Sequence, residues 1–525
     1  MYEKGQDVLK LQPFTHVVNE NVRTEVCDFC LIDREPIGEL PISLPPSLSE
    51  VPSLPTFPKI CPQCQNRVTS QFTGNCLDCN HQMEPYILEM KRCMSCKYVH
   101  YCSRSCQEKA WKTYHKEECV LLKTFHRNNP NNSYPPDYIR HVARIIIKLK
   151  KNGKEEFVEM PNGQKRFFKD IPINYDLVAK DPKFSSIFTS VYIYMGSKTP
   201  PYQYVFEIVG KLLTNNFPIR IGNLGKDIAE GFYLGTRMIG HSCAPNAVWI
   251  FRGKDMIIRA TEAVQNFDDL KISYVDSYEL LGPTNERKEN LLKKFHFDCK
   301  CLKCENLEGD QLKSSLKCPK CKGCVPSSQG ICIDCKQQVS STLIERHSKL
   351  KTKLRNFLSD LPGCYYSNVY LPEPEKPPIE IFEYLLNQSM SIFHHFDSDY
   401  LKFVAWSFTA VTTEYLFKFP NVDHFSYELK QSLINGYYKH LPKYTPHAIV
   451  LDEITFAMQC SDMDLFNEAL EKLDKAKEIL EISHGENDPA VTKYLKNIRH
   501  EIEWKKESEP RGGMYRHSKI RRPRF

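Results

Sequence analysis

No stretch of this 525-residue sequence is long and apolar enough to span a membrane. Its first residues, MYEKGQDVLKLQPF, carry no apolar run of the kind that a secretory signal needs. Both absences predict a soluble, intracellular protein with no membrane partner.

An excess of charge of one sign is also missing, because 71 basic side chains nearly balance 64 acidic ones and the net charge is +7. The chain as a whole is therefore not a polyelectrolyte that must bind nucleic acid. Glycine is scarce, with 22 residues, and a hydrophobic content of 41% is ample for packed cores. The length favours about three or four domains.

Cysteine, in contrast, is abundant, and 22 thiols in an intracellular chain indicate metal binding rather than disulfides. Many stand in C-x2-C pairs, whose two thiolates can reach one tetrahedral zinc ion. The segments CPQCQNRVTSQFTGNCLDC and CPKCKGCVPSSQGICIDC share the form C-P-x-C, a loop and G-x-C-x-D-C. We interpret them as two copies of a structural zinc ribbon. Their ligand sets are Cys61, Cys64, Cys76 and Cys79 in the first, and Cys318, Cys321, Cys332 and Cys335 in the second.

Eight further ligands in the first 119 residues are enough for two more ions. They are Cys27, Cys30, Cys93, Cys96, Cys102, Cys106, His115 and Cys119. His115 and Cys119 lie four residues apart in a helix-compatible segment, so their side chains face the same way. Spacing alone does not determine which ligands share an ion.

The segment FDCKCLKC supplies three thiolates, Cys299, Cys301 and Cys304, and lacks one ligand for a closed tetrahedral site. Cys243, in the motif GHSCAPN, is the first candidate for the fourth ligand, although Cys324 is nearer in sequence. A nucleophilic Cys243 would need a base and an oxyanion site, and the sequence offers no recognised frame for one. We therefore interpret Cys243 as a metal ligand.

Several motifs, taken in order, resemble a known family. The segments CDFC, CMSCKYVHYCSRSC and AWKTYHKEEC are similar to a MYND zinc finger. The segments RMIGHSCAPNAVWIF, LKISYVD and FHFDCKCLKC are similar to the NHSC-x-PN motif, the tyrosine motif and the post-SET cysteines of a SET domain. The chain thus resembles the SET-and-MYND (SMYD) protein-lysine methyltransferases from Gly5 to about residue 504.

This resemblance implies how the ligands divide among the ions. One set is Cys27, Cys30, Cys102 and Cys106, a second is Cys93, Cys96, His115 and Cys119, and a third is Cys243, Cys299, Cys301 and Cys304. With the two ribbons, about five zinc ions result.

The resemblance also implies the residues of an active site. It makes Tyr274 the catalytic tyrosine, and Phe217 and Phe295 the walls of a lysine channel. The residues that it places against the cofactor S-adenosylmethionine (SAM) are Asn215, His241 and Phe297.

Two departures from the family pattern concern the cofactor site. Gly240 stands where the family motif begins with asparagine, so one side-chain contact to SAM is missing. Gly5 to Cys30 match the family segment that follows a glycine-rich SAM turn, and that turn is absent from these 525 residues. Either the sequence is an incomplete gene model, or it is a natural form that has lost part of its cofactor site.

The expected fold is α+β, with a β-rich SET domain split by the finger, two inserted ribbons and a tetratricopeptide-like C-terminal domain. The expected units are an N-terminal SET segment (1–26), the finger with its insert (27–119, insert 31–92), a helical insertion (120–210), the SET core (211–280), the post-SET zinc region (281–310), the second ribbon (311–338), the helical domain (339–505) and a basic tail (506–525).

Individual elements can also be predicted. The segment PDYIRHVARIIIKLKKNG predicts an amphipathic helix that ends at Asn152-Gly153. Short β-rich runs, NAVWIF, DMIIRAT and LKISYV, predict strands. From about residue 340 the pattern is helical, and Gly485 is the predicted stop of one helix.

The leading functional hypothesis is a SAM-dependent protein-lysine methyltransferase that acts on a histone or another protein. The second is a catalytically impaired scaffold that binds partners through its finger and helical repeats. Nucleic-acid binding, a distant third, depends only on basic patches. We expect a monomer in nucleus and cytoplasm, with Pro-rich peptides as further ligands of the finger.

Overall fold

The structure is a computed structural model that describes residues 1–32, 90–129, 134–180, 182–220, 227–359, 379–410, 422–488 and 490–508. The predicted ribbon of Cys61, Cys64, Cys76 and Cys79 lies outside the described residues, as does the tail from residue 509. No helix in the described ranges is long and apolar enough to cross a membrane.

The strands are short, and most of them pair antiparallel. In chain order they are β1 (Asp7–Leu11), β2 (Thr15–Val18), β3 (Lys91–Arg92), β4 (His100–Tyr101), β5 (Phe157–Glu159), β6 (Lys165–Phe167), β7 (Asn216–Arg220), β8 (Asp227–Phe232), β9 (Gly240–His241), β10 (Ala247–Arg252), β11 (Asp255–Ala260), β12 (Lys271–Ile272), β13 (Ser315–Lys317) and β14 (Cys324–Pro326).

Helices precede the central strands and then fill the C-terminal part of the chain. In chain order they are α1 (Arg104–Ala110), α2 (Lys116–Asn128), α3 (Asp137–Lys150), α4 (Tyr175–Lys180), α5 (Pro182–Met195), α6 (Tyr202–Asn215), α7 (Ser277–Leu281), α8 (Thr284–Phe295), α9 (Leu302–Glu305), α10 (Glu308–Gln311), α11 (Ser341–Ser359), α12 (Ile379–Ile392), α13 (Ser398–Ala410), α14 (Val422–His440), α15 (Leu451–Asp462), α16 (Phe466–Ser483) and α17 (Lys496–Ser508). The fold mixes helix and sheet, as the α+β expectation states. Gly485 follows α16 with a φ of +102°, a conformation that favours glycine.

Two three-stranded antiparallel sheets carry most of the strand residues, in the orders β2-β8-β7 and β1-β11-β10. Strands β10 and β11 are rich in β-branched and aromatic side chains, which suit a pleated surface. They pair without a shift from Ala247 opposite Ala260 to Arg252 opposite Asp255. The strands predicted from NAVWIF and DMIIRAT are therefore confirmed.

The strand predicted from LKISYV is shorter than expected. Only Lys271 and Ile272 form β12, which pairs in parallel with β9. The chain leaves this ladder at Tyr274, whose backbone N–H donates to Nδ1 of His241 over 3.0 Å instead of to a carbonyl. The parallel pair thereby sets the motif GHSC beside the segment ISYVD.

Three hydrophobic cores organise the described residues. One lies against the two sheets and includes Leu11, Ile219 and Met256. A second joins the finger to α3, α5 and α6, and a third joins the Cys243 region and the second ribbon to the C-terminal helices. Tyr274 packs against both the first and the third core, so it lies at the boundary between the sheets and the C-terminal helices.

Helix α3 forms where it was predicted, but its polar stripe is buried rather than exposed to solvent. Arg140, His141 and Arg144 are as fully buried as the isoleucines around them. Arg144 donates to the carboxylates of Glu118 (2.8 Å) and Asp28 (2.7 Å). The two arginines of α3 therefore face counter-charges supplied by the finger, which the pattern within one helix does not reveal.

The buried network consists of Asp28, Glu118, Arg140 and Arg144. Backbone carbonyls accept further hydrogen bonds from its arginines. Arg144 also donates to the carbonyl of His16 on β2 (2.7 Å), and Arg140 lies 3.3 Å from Glu118 and 3.4 Å from Asp28. Burial alone would raise the pKa of Glu118, but Arg144 and Arg140 hold it well below its ordinary value. Both carboxylates and both guanidinium groups are thus paired inside the protein.

Residues near both ends of the described chain meet at two arginines of the β10–β11 hairpin. Arg259 donates to the carbonyl of Ile482 (3.1 Å) and contacts the carbonyl of Gly5 and the carboxylate of Asp7. Arg252 binds the same Asp7 (2.6 Å) and the carbonyl of His484 (3.0 Å). The hairpin thereby joins β1 to the end of α16.

We predict that Arg144→Met lowers the free energy of unfolding by about 3 kcal/mol or more, because it leaves two buried carboxylates with one guanidinium partner. Arg104→Met is the matched control, since Arg104 is exposed and its ion pair with Glu108 lies on the surface. Urea unfolding of the zinc-loaded proteins, followed by circular dichroism, measures both changes. Equal effects of the two substitutions would contradict a structural role of the buried network.

Candidate functional site

Four sets of side chains in the described ranges converge so that their ligand atoms all lie within 4.8 Å of one another. The sets are Cys27, Cys30, Cys102 and Cys106; Cys93, Cys96, His115 and Cys119; Cys243, Cys299, Cys301 and Cys304; and Cys318, Cys321, Cys332 and Cys335. The first three are the groupings that the family resemblance implies, and the fourth is the second ribbon predicted from the repeated spacing.

The spacing within each set fits zinc. Pairs of sulfur atoms lie 3.6 Å apart at Cys30 and Cys102, 3.6 Å at Cys243 and Cys304, and 3.5 Å at Cys321 and Cys332. A regular tetrahedron with Zn–S bonds of about 2.3 Å has edges of about 3.8 Å. The thiolates are therefore already placed for tetrahedral coordination.

In the finger, defined here as residues 27–32 and 90–119, local structure sets the ligands. Lys97, with a φ of +56°, turns the chain after the pair Cys93 and Cys96. The side chain of Ser103 accepts the backbone N–H of Cys106 and caps α1. Nε2 of His115 lies 3.8 Å from the sulfur of Cys96, so this ring nitrogen faces the ligand set.

Glu118 orients His115 from the opposite side of the ring. Its carboxylate lies 3.3 Å from Nδ1 of His115, and both side chains are fully buried. A carboxylate behind a metal-binding histidine fixes the ring and its tautomer. The sequence analysis missed Glu118, although its position three residues after His115 on a helix was a usable signal.

Cys243 follows β9 and reaches the cysteines that surround α9. Its backbone N–H donates to the sulfur of Cys301 over 3.4 Å. The fully buried Arg287 of α8 lies 3.5 Å from the sulfur of Cys304 and places a positive charge beside the thiolates. Cys324, the alternative fourth ligand, lies instead on β14 and is not in this set.

His241 links the Cys243 set to Tyr274. Nδ1 of His241 accepts the backbone N–H of Tyr274, so the ring proton resides on Nε2, which lies 3.3 Å from the sulfur of Cys243. Burial lowers the pKa of His241 to about 4, which keeps the ring neutral. One side chain thus fixes the position of the tyrosine backbone relative to the thiolates.

The side chain of Tyr274 is held at both ends. Its hydroxyl donates to the carbonyl of Ile239 over 2.6 Å, and burial raises its pKa, so it remains protonated. Its ring centroid lies 5.3 Å from those of Phe295 and His241 and 6.2 Å from that of Phe297. Four of the predicted site residues therefore form one aromatic cluster.

Phe217 does not pack directly in this cluster. Its ring lies 5.7 Å from that of Trp249, and the indole N–H of Trp249 donates to the carbonyl of Ser273 over 3.3 Å. Phe217 therefore reaches the segment of Tyr274 through Trp249. The sequence analysis treated Trp249 only as a strand residue, and nothing in the strand pattern marked it otherwise.

Asn215 ends α6 and is fully buried. Its amide nitrogen donates to the carbonyl of Lys211 over 2.9 Å, whereas its Oδ1 has no hydrogen-bond partner in the described part of the chain. An unpaired buried acceptor indicates a ligand or an ordered water. Together with the aromatic faces of His241 and Phe297, whose centroids lie 5.8 Å apart, it fits a ligand with a donor group and a planar ring.

Comparison of the chain with known proteins identifies several relatives. The MYND finger family model matches residues 61–119. Histone-lysine N-methyltransferase SMYD3 of Mus musculus is 29% identical over 230 residues, 42% of this chain and 50% of that protein. N-lysine methyltransferase SMYD2 of Mus musculus is 23% identical over 423 residues, 79% of this chain and 86% of that protein. SET domain and MYND-type zinc finger protein 6 of Schizosaccharomyces pombe is 26% identical over 244 residues, 45% and 44% of the two chains.

These matches cover only part of the SMYD3 proteins and only part of the finger. The chain spans about half the length of the SMYD3 proteins that it matches. The finger model begins its match at Cys61, whereas in the structure Cys27 and Cys30 complete the set of Cys102 and Cys106. The finger thus starts well upstream of the matched range.

We predict that Cys243→Ser lowers the zinc content by about one ion per chain, because three remaining thiolates do not close a structural site. Cys324→Ser, the control, should retain the full content, since Cys324 lies outside the ligand set. Elemental analysis of the purified proteins measures the metal, and circular dichroism verifies the fold. The opposite result, with zinc lost only in the Cys324 variant, would assign the fourth ligand to Cys324.

Proposed function

We propose that this chain, which belongs to the SET and MYND domain-containing family, is a SAM-dependent protein-lysine N-methyltransferase. The observation that carries the proposal is the setting of Tyr274. Its hydroxyl is fixed on the carbonyl of Ile239, its backbone on His241, and its ring against Phe295. Such a tyrosine can orient an incoming amine without moving.

The chemistry requires a neutral lysine. At a pKa of about 10.4, deprotonation near pH 7.4 costs roughly 4 kcal/mol. An apolar, aromatic surrounding lowers this cost because it destabilises the ammonium form. Phe295 lies beside Tyr274 and Phe217 is linked to the Tyr274 segment through Trp249, so we assign these two phenylalanines to the lysine channel.

Asn215, His241 and Phe297 are the residues that would hold SAM. When bound, SAM supplies the sulfonium methyl group that the amine attacks. The role of the chain is then to fix two reactants in line, which is how an enzyme of this kind accelerates a displacement. The unpaired Oδ1 of Asn215 supports this assignment.

Two of the relatives reported above, SMYD3 and SMYD2, are named as lysine methyltransferases, and the name of SMYD3 specifies histones. We therefore propose a lysine of a histone or of another protein as the acceptor, and nucleus and cytoplasm as the compartments. Helices α11–α17 are the proposed tetratricopeptide-like domain. They share a hydrophobic core with the Cys243 region, which supports the proposal that they form one wall of the substrate cleft.

A second candidate function is a binding scaffold, favoured by one feature of the finger. Met94 and Trp111, two large apolar side chains of the finger, are 73% and 42% exposed and so are accessible to a partner. Partner binding and methyl transfer are compatible in one chain. A protein that bound partners but no SAM would be the scaffold alone.

We predict that Tyr274→Phe reduces methyl transfer at least 100-fold, because the amine loses its orienting hydroxyl. Tyr233→Phe is the control, since the Tyr233 hydroxyl also donates to a carbonyl, that of Lys254 (2.7 Å), away from the cluster. Transfer of radiolabelled methyl from SAM to histones and to a cell extract measures both variants. Undiminished transfer by the Tyr274 variant would remove Tyr274 from the mechanism, and no transfer and no SAM binding by the unsubstituted protein would overturn the proposal.

A further inference from the structure

A cavity of about 380 Å³ lies beside the aromatic cluster. It is bounded by the segment that leads into α4, by the end of α6 and by the residues that end α8. Phe295 of the cluster lines it, together with Thr214, the neighbour of Asn215. A volume of this size suits a small-molecule ligand.

The cavity wall contains an arginine without a counter-charge. Nε of Arg237 donates to the carbonyl of Thr214 over 3.2 Å, which fixes the plane of the guanidinium group. In the described part of the chain Arg237 forms no ion pair, and its Nη2 is buried without a hydrogen-bond partner. Since a buried N–H group without a partner is costly, the unpaired Nη2 of Arg237 indicates an acceptor in the cavity, and the positive charge of the guanidinium group favours an anionic one.

The same cavity also presents an acidic group. Asp176, at the start of α4, lines it and makes no ion pair within the described ranges. One positive and one negative side chain in one cavity match the two charges of an α-amino acid.

We infer that Arg237 binds the carboxylate of the amino-acid end of the methyl donor, with Asp176 facing its ammonium group. This inference rests on the proposed function and names a contact that the sequence analysis did not predict. A guanidinium group is suited to the task because two of its N–H groups can hold both carboxylate oxygens.

The inference is tested with two donors that differ only in the carboxylate, SAM and decarboxylated SAM. Calorimetric titration of the zinc-loaded 525-residue chain should show that SAM binds about 10- to 100-fold more tightly, the usual effect of a charged hydrogen-bonded pair. In Arg237→Gln that difference should vanish, because SAM loses affinity and decarboxylated SAM does not. Arg237→Lys should retain part of the affinity difference between the two donors, since the positive charge remains but the bidentate geometry is lost.

Arg220→Gln is the matched control, because Arg220 is half-buried and paired with Asp227 on a neighbouring strand. It should leave both affinities unchanged. Circular dichroism and zinc content verify that each variant is folded.

Other outcomes overturn the inference in distinguishable ways. If Arg237→Gln binds SAM as tightly as the unsubstituted protein, the carboxylate contact is wrong while the methyltransferase proposal stands. If the variant loses both donors equally, Arg237 has a structural role only. If the variant changes only the KM for an acidic peptide substrate, the anion comes from the substrate. If the unsubstituted protein binds neither donor, both this inference and the proposed function fail.

Discussion

The sulfur of Cys243 is the constraint on which the proposed site depends. The parallel pair of β9 and β12 is only two residues long, and a ladder of that length has little stability of its own. A zinc ion shared by Cys243 and three cysteines around α9 would add on the order of 10 kcal/mol. His241 then transmits this fixed position to the backbone of Tyr274. The metal is thus structural, yet it determines where the tyrosine lies.

The finger is equally part of the interior rather than an appended module. Its carboxylates, Asp28 and Glu118, pair with two arginines of α3 in a space from which water is excluded. Such a network contributes little net stability compared with an apolar core, but removing one of its members strongly destabilises the protein. Because Glu118 also supports His115, loss of the ion and loss of the α3 contacts should occur together.

The sequence predicted those features that depend on local spacing. The C-x2-C pairs in the described residues, the alternation in β10 and β11 and the glycine after α16 all act within a few residues, and the structure agrees with each of them. Cys243 was the first candidate for the fourth ligand beside Cys299, Cys301 and Cys304, but spacing left Cys324 open and only the family resemblance implied the full set, because spacing does not report on chain crossings. The early end of β12 could not be predicted for the same reason, because the backbone N–H of Tyr274 donates to His241, a side chain of another segment.

Buried charge was the main feature that could not be predicted. Arg140 and Arg144 have the spacing of a solvent-facing helix stripe, and only the finger, brought in by the fold, provides their carboxylates. The same holds for Arg237, which looks like an ordinary surface arginine in RMIGHSC until the cavity around it is known. The first predicted ribbon, Cys61 to Cys79, lies outside the described residues and stays a prediction.

The two arginines of the β10–β11 hairpin have a consequence for biosynthesis. Arg259 and Arg252 bind Gly5 and Asp7 on one side and the carbonyls of Ile482 and His484 on the other. A growing polypeptide on the ribosome cannot complete these contacts until nearly all of it has been translated. During most of synthesis, the two hairpin arginines are therefore solvated and lack their contacts with the end of α16. A nonsense mutation before residue 482 would remove these contacts permanently.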